Sequence, residues 1–123
     1  MKQIIFRGFD RNANEWVQGS LIKDGSFQTI VTDIKAWGLE QSVVDPVSVG
    51  MYSGLDDVNG KPIFEGDVIS VCANRQIYRN TVRFENGAFR VWQNPTHCQP
   101  LTRQVISKYR VQVVGSVYDL IKR

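Results

Sequence analysis

Long apolar runs are missing from this chain. No stretch approaches the roughly 20 consecutive residues that a membrane-spanning helix needs, and the opening Met1-Lys2-Gln3-Ile4-Ile5-Phe6-Arg7 is interrupted by charge too early for an export signal. The sequence therefore reads as a cytoplasmic protein without a membrane partner. Cysteine is scarce: only Cys72 and Cys98 are present. A chain with room for an adequate core and no export signal does not need a disulfide staple, so both are expected to be free thiols. Histidine is rarer still, with His97 alone. Cys72, His97 and Cys98 fall one short of the four ligands of a structural zinc site, which would need a carboxylate or a second chain to close. As a nucleophile and its base, His97 and Cys98 fare no better, because neighbours on an extended chain point apart and nothing marks an oxyanion hole.

Helical periodicity is also lacking, since no window of 11 or more residues holds an apolar repeat of 3.6. What is there is a globular composition, 42% hydrophobic and 22% charged, which excludes the disordered class. A length of 123 residues suits one domain or two small subdomains and should bury roughly two-thirds of the extended-chain surface. Short β-type runs bounded by turn residues fill the chain. Ile4 to Phe9 reads as a strand, the turn cluster Asp10 to Asn14 follows, and Trp16 to Ile22 is the hairpin partner; after Asp24-Gly25 comes Phe27 to Ile34. Lys35 to Asp45 is ambiguous between a short helix and an irregular crossing that ends at Pro46. Val47 to Tyr52 leads into a turn-rich joint whose Asn59-Gly60 favours positive φ, with a second turn at Glu65-Gly66.

Downstream, Asp67 to Cys72, Gln76 to Glu85, Ala88 to Trp92 and Tyr109 to Ser116 read as strands. Asn86-Gly87 is a hairpin signal, Asn94 to Gln104 a long loop, and Val117 to Arg123 a short strand or helical turn. This spacing predicts a mainly β chain: N-terminal antiparallel β hairpins over residues 1–62, joined to a small SH3-like barrel over residues 63–123. Short open strand edges also admit self-association into a homo-oligomer.

The stretch Val49-Gly50-Met51-Tyr52-Ser53-Gly54-Leu55-Asp56-Asp57-Val58-Asn59-Gly60-Lys61-Pro62-Ile63-Phe64-Glu65-Gly66-Asp67-Val68-Ile69 resembles the signature G-x-Y-T-G-L-x-D-x-N-G-x-x-I-Y-E-G-D of the YopX family, whose members are encoded by bacteriophages and prophages. Phe6-Arg7-Gly8-Phe9-Asp10 is similar to the family's opening F-R-A-W-D, and Val114-Gly115-Ser116-Val117-Tyr118 to its closing G-N-I-Y, so the resemblance spans the chain. Gly8, Phe9, Ser53 and Phe64 stand where Ala, Trp, Thr and Tyr are usual. The resemblance implies a mostly β fold with an SH3-like portion and a setting inside an infected or lysogenic bacterium. It implies no activity, cofactor or catalytic residue.

The joint is dense in carboxylates: Asp56, Asp57, Glu65 and Asp67. Paired acids can serve general acid/base or metal chemistry, but Asp side chains also bind turn backbone amides, and that structural reading is favoured. A calcium loop with Gly60 at its sixth position would put Leu55 first and Gly66 twelfth, where carboxylates are required. The glycines of the joint lack the Gly-Lys-Ser/Thr sequence and the helix of a phosphate loop.

Charge is divided unevenly. Residues 1–67 hold six Lys/Arg and ten Asp/Glu, a balance of −4; residues 68–123 hold nine and two, a balance of +7; the chain carries +3. If Asn86-Gly87 is a two-residue hairpin loop, Glu85 faces Ala88, Phe84 faces Phe89, Arg83 faces Arg90, Val82 faces Val91 and Thr81 faces Trp92. The apolar pairs then share one face. The opposite face gathers Arg79, Thr81, Arg83, Arg90 and Trp92, and the neighbouring strand is expected to add Arg110 and Gln112. Facing arginines repel unless an acid or a bound anion lies between them. Arginines beside an exposed aromatic hold phosphates and stack bases, whereas a solvated face neutralised by Glu85 or by the acidic half is the plainer explanation.

The reading from sequence is therefore a non-enzymatic phage accessory protein that binds a host or phage protein or a second copy of itself. The alternative is a nucleic-acid-binding module that uses Arg79, Arg83, Arg90, Trp92 and Arg110. A metal-dependent enzyme on Asp56, Asp57, Glu65 and Asp67 is the third reading; no catalytic, cofactor or metal residue is assigned.

Overall fold

The computed structural model describes residues 4–94 and 96–121. Met1, Lys2, Gln3, Pro95, Lys122 and Arg123, which belong to the opening segment, the expected long loop and the closing stretch, lie outside the described residues. No helix among the described residues is long and apolar enough to cross a membrane. The chain is mainly β and divides after Tyr52 into two compact units, earlier than the expected boundary after Pro62.

The first unit is an antiparallel meander of β1 (Phe6–Asp10), β2 (Glu15–Asp24), β3 (Phe27–Lys35) and β4 (Gly38–Val44). Asp10 closes the first turn by accepting the Asn12 and Ala13 N–H groups at 3.0 and 3.1 Å, the local bonding that favours Asp in turns. The ambiguous stretch 35–45 is resolved as the β3–β4 turn and strand β4, which pairs with β3 from Lys35↔Gly38 to Gln28↔Val44 around a bulge. Most of β4 is exposed, so burial imprints little alternation on it. A 3-10 turn at Pro46–Ser48 follows, with Asp45 as its N-cap. Ser48 is buried there; its Oγ accepts the Phe9 N–H at 2.7 Å while its hydroxyl donates to the Asp45 carbonyl at 2.6 Å. The core is thin, with Phe9, Ile30 and Val44 buried. A Cβ on Gly8 would come within 2.6 Å of the Val44 side chain, so glycine at this position makes room for Val44.

Strand β5 (Gly50–Asp56) begins in the first unit, where Gly50 and Met51 pair with Arg7 and Phe6, and ends in the second. There follow β6 (Pro62–Phe64), β7 (Asp67–Ala73), β8 (Gln76–Glu85), β9 (Ala88–Asn94), β10 (His97–Pro100), helix α1 (Arg103–Lys108), β11 (Gln112–Ser116) and helix α2 (Val117–Ile121). Five of these strands form an antiparallel sheet in the order β10-β9-β8-β7-β11. Ile63, Ile69, Val82, Val91 and Val111 are fully buried and cluster with Val71, Leu101 and Ile106; each side chain contributes roughly 1.5–3 kcal/mol of burial.

The expected SH3-like barrel is corrected to an open sheet. Edge strand β10 has four residues and ends at Pro100, which has no N–H to extend a ladder, and no pairing among the described residues joins it to β11 at the other edge. The core face is covered instead by α1, whose Ile106 belongs to the buried cluster. Thr102 caps that helix by accepting the Val105 N–H at 3.1 Å. The part of the expected long loop 94–104 that is described is thus a short edge strand and a helix start.

The carboxylate-dense joint serves the backbone. Buried Asp57 accepts the N–H groups of Asn59 and Lys61 on Oδ1, at 2.8 and 2.9 Å, and that of Val113 on Oδ2, at 2.8 Å. Asp67, fully buried, accepts the Phe64 N–H at 2.8 Å. Hydrogen bonds to a charged acceptor each contribute about 1.5–3 kcal/mol, and the donors they leave behind remain costly. Asp57→Ala should therefore lower unfolding free energy by about 3 kcal/mol or more in urea titrations. A loss below about 1 kcal/mol, the size of an ordinary neutral hydrogen bond, would contradict this role.

Candidate nucleic-acid interface

The hairpin β8–β9 turns through Asn86 at φ 52 and Gly87 at φ 80. Two consecutive positive φ angles make the primed turn that matches strand twist, and Asn-Gly is the pair that adopts it at least cost. Its ladder is Glu85↔Ala88, Phe84↔Phe89, Arg83↔Arg90, Val82↔Val91 and Thr81↔Trp92, the register that the Asn-Gly loop predicts. Phe84 and Phe89 pack with ring centroids 4.8 Å apart, and Val82 and Val91 enter the core.

The period of two along each strand then puts Arg79, Thr81, Arg83, Arg90 and Trp92 on the opposite face. Strand β7 adds Ser70, which pairs with Arg79, and β11 adds Gln112, which pairs with Ser70. Arg110 does not join them. It lies in the turn between α1 and β11 at φ 49, so the strand alternation assumed for Tyr109 to Ser116 does not reach it. Its side chain lines a separate depression of about 500 Å³ with Asp56, Arg103 and Ser107.

Arg79 and Arg83 are exposed, while Arg90 and Trp92 are half-buried. Among the described residues none of the three arginines forms an ion pair with a carboxylate. Arg90 reaches only the Cys98 sulfur, at 3.9 Å from Nη1. Glu85 therefore does not neutralise the row by contact. Beside the row lies a depression of about 380 Å³ lined by Arg79, Thr81, Arg83, Glu85, Trp92, Gln93 and Asn94.

The remaining candidates are accounted for locally. Cys72 and Cys98 are free thiols. His97, the first residue of β10, shares hydrogen bonds with Thr96 Oγ1 and Asn94 Oδ1 at 2.9 and 3.0 Å. Asp57 and Asp67 are engaged by backbone donors. Among the described residues no three His, Cys, Asp or Glu side chains converge as metal ligands would.

The family model described as YopX protein matches residues 5–120, nearly the whole chain. The chain belongs to the YopX family. No curated protein matches it. In this YopX family member the signature residues form the joint that holds β5, β6 and β7, whereas the arginine row lies on the hairpin downstream of them.

The charge division changes when the structural boundary is used. Residues 1–52 hold five Lys/Arg and six Asp/Glu, a balance of −1, and residues 53–123 hold ten and six, a balance of +4. Residues 53–67, which belong to the second unit, carry −3 of the −4 first read as N-terminal. The facing pair Arg83 and Arg90 carries a cross-strand repulsion, and opposite charges at such positions contribute about 0.2–1 kcal/mol. Arg83→Glu should consequently raise the thermal midpoint slightly, by the equivalent of roughly a few tenths of a kcal/mol, in differential scanning calorimetry.

Proposed function

We propose that this protein is a non-enzymatic, phage-encoded accessory protein of the bacterial cytoplasm that binds single-stranded nucleic acid through Arg79, Arg83, Arg90 and Trp92. The observation that supports this most is the row of three arginines without a carboxylate partner, two of them directly opposed across strands. Such a row is complementary to successive phosphates, and an adjacent indole offers a stacking surface that accepts any base. Arg110 is left out of this surface because it lines another depression.

Fluorescence anisotropy with a labelled oligothymidylate across a salt series tests the reading. Three phosphate contacts predict that log K falls against log salt with a slope of about −2. Charge reversal by Arg83→Glu with Arg90→Glu should abolish binding while leaving the protein folded. No binding of the unaltered protein at low salt, or equal binding after reversal, would refute it.

A second reading, self-association, is favoured by a separate observation on the first unit. Phe27, Ile34 and Trp37 are 65%, 78% and 84% exposed, and Ile22, Leu39 and Val43 are exposed as well. Ile34 pairs with Leu39 and Thr29 with both Ile22 and Val43, so much of this surface lies on one sheet face beside the free edge of β4. Large exposed apolar patches mark association surfaces. Sedimentation velocity over a concentration series should then give a dimer or larger species that Ile34→Thr with Leu39→Thr returns to monomer; a monomer throughout excludes it.

A further inference from the structure

The depression that Arg110 lines is made by two segments of the second unit that meet at the end of α1. Arg103 and Ser107 stand one turn apart on one face of the helix, and Arg110 follows two residues after the helix ends. The other wall is residues 54–58: the Val58 N–H donates to the Val111 carbonyl at 3.1 Å, and Leu55 packs on the buried cluster that holds Ile106. Arg103, Ser107 and Arg110 are all exposed, so their polar groups are open to a ligand. Among the described residues neither arginine forms an ion pair with a carboxylate. Arg110 is also costly where it stands. It follows the C-cap Tyr109 with a left-handed backbone at φ 49, and the Val111 N–H closes the helix on the Ile106 carbonyl at 3.0 Å. Glycine fills such a position without the penalty of a Cβ, so an arginine there works against the fold.

Guanidinium groups donate to carboxylate or phosphate oxygens in pairs, so the lining calls for an anion. Asp56 stands in the same lining and leaves two arginines against one carboxylate, a balance of +1. That balance suits a single negative charge better than a doubly charged phosphate. Leu55, Val58 and Ile106 give the depression an apolar surface, with Val58 41% exposed, and an anion without an apolar body would leave that surface against water. The volume, about 500 Å³, falls in the range of small-molecule sites, roughly 300–1,000 Å³. We propose that this depression binds the carboxylate of an apolar amino acid, either free or as the last residue of a peptide. Arg103 and Arg110 hold the carboxylate, and Leu55 and Val58 receive the side chain. The site is separate from the arginine row and does not depend on strand binding.

Amide NMR titrations of the full chain test this. N-acetyl-leucine should shift the resonances of residues 54–58 and 103–111. N-acetyl-leucinamide, which lacks the charge, and acetate, which lacks the apolar body, should each bind about tenfold more weakly or worse. Inorganic phosphate should do no better than acetate. Arg110→Gly removes the guanidinium and relieves the left-handed backbone, so it should hold or raise the thermal midpoint while weakening N-acetyl-leucine binding about tenfold. Arg103→Gln should weaken it to a similar degree. Leucine and acetyl-Gly-Gly-Gly-Leu then separate the two sources, the tighter of them identifying the free amino acid or the chain end. Equal affinity for N-acetyl-leucine and its amide, equal affinity for acetate, or tighter binding of phosphate overturns the proposal. So do shifts confined to other residues, or unchanged binding in a folded Arg110→Gly protein.

Discussion

The carboxylate of Asp57 is the constraint on which the second unit is arranged. One oxygen folds the chain back on itself through the N–H groups of Asn59 and Lys61, and the other holds the N–H of Val113, 56 residues away. Next to it the Val58 N–H donates to the Val111 carbonyl at 3.1 Å. A turn that would otherwise be a surface excursion is tied to β11, which in turn pairs with β7. The Gly66 N–H to the Val82 carbonyl, and the Val117 N–H to the Gly66 carbonyl, bind the next turn to β8 and to the start of α2. Backbone donors that would have been buried without partners are satisfied in this way, and the β7–β8–β9 sheet receives a fixed edge.

Density of acid and glycine is ambiguous in a sequence, because the residues that cradle cations also make turns. Spacing separated the two here, and the hydrogen bonds of Asp57 and Asp67 give the physical content. Elsewhere legibility followed the same logic of local against non-local causes. The register of β8 and β9 could be read in advance because a two-residue Asn-Gly loop leaves one pairing that keeps Val82, Val91, Phe84 and Phe89 together. Strand β4 resisted reading because its side chains are mostly exposed and carry no burial pattern. Helix α1 has only six residues, too few for a helical period to show, although Thr102 is a recognisable cap. The open sheet turned on whether two distant edges pair, which no local pattern encodes. Arg110 was misplaced for a related reason: its left-handed backbone leaves no mark in an arginine side chain, and one residue of turn moves the side chains downstream from one face to the other.

The two faces of the β7–β8–β9 sheet carry opposite solutions to the same constraint. On one, Ile69, Val71, Val82 and Val91 join the buried cluster with Ile106 of α1, and the gain is burial. On the other, the alternation that secures the core leaves Arg83 and Arg90 opposed and Glu85 bonded to neither. A sheet stabilised for its own sake would set opposite charges across that pair, at no cost to the core beneath. Arginine at both positions is thus a local departure from what the fold favours, and departures of that kind concentrate where a protein meets a ligand. The neighbouring indole N–H and carboxylate oxygen depart in the same direction, each buried and each unbonded. The opposed arginines, at least, are what the proposed strand-binding surface would require, since each would meet a phosphate instead of the other.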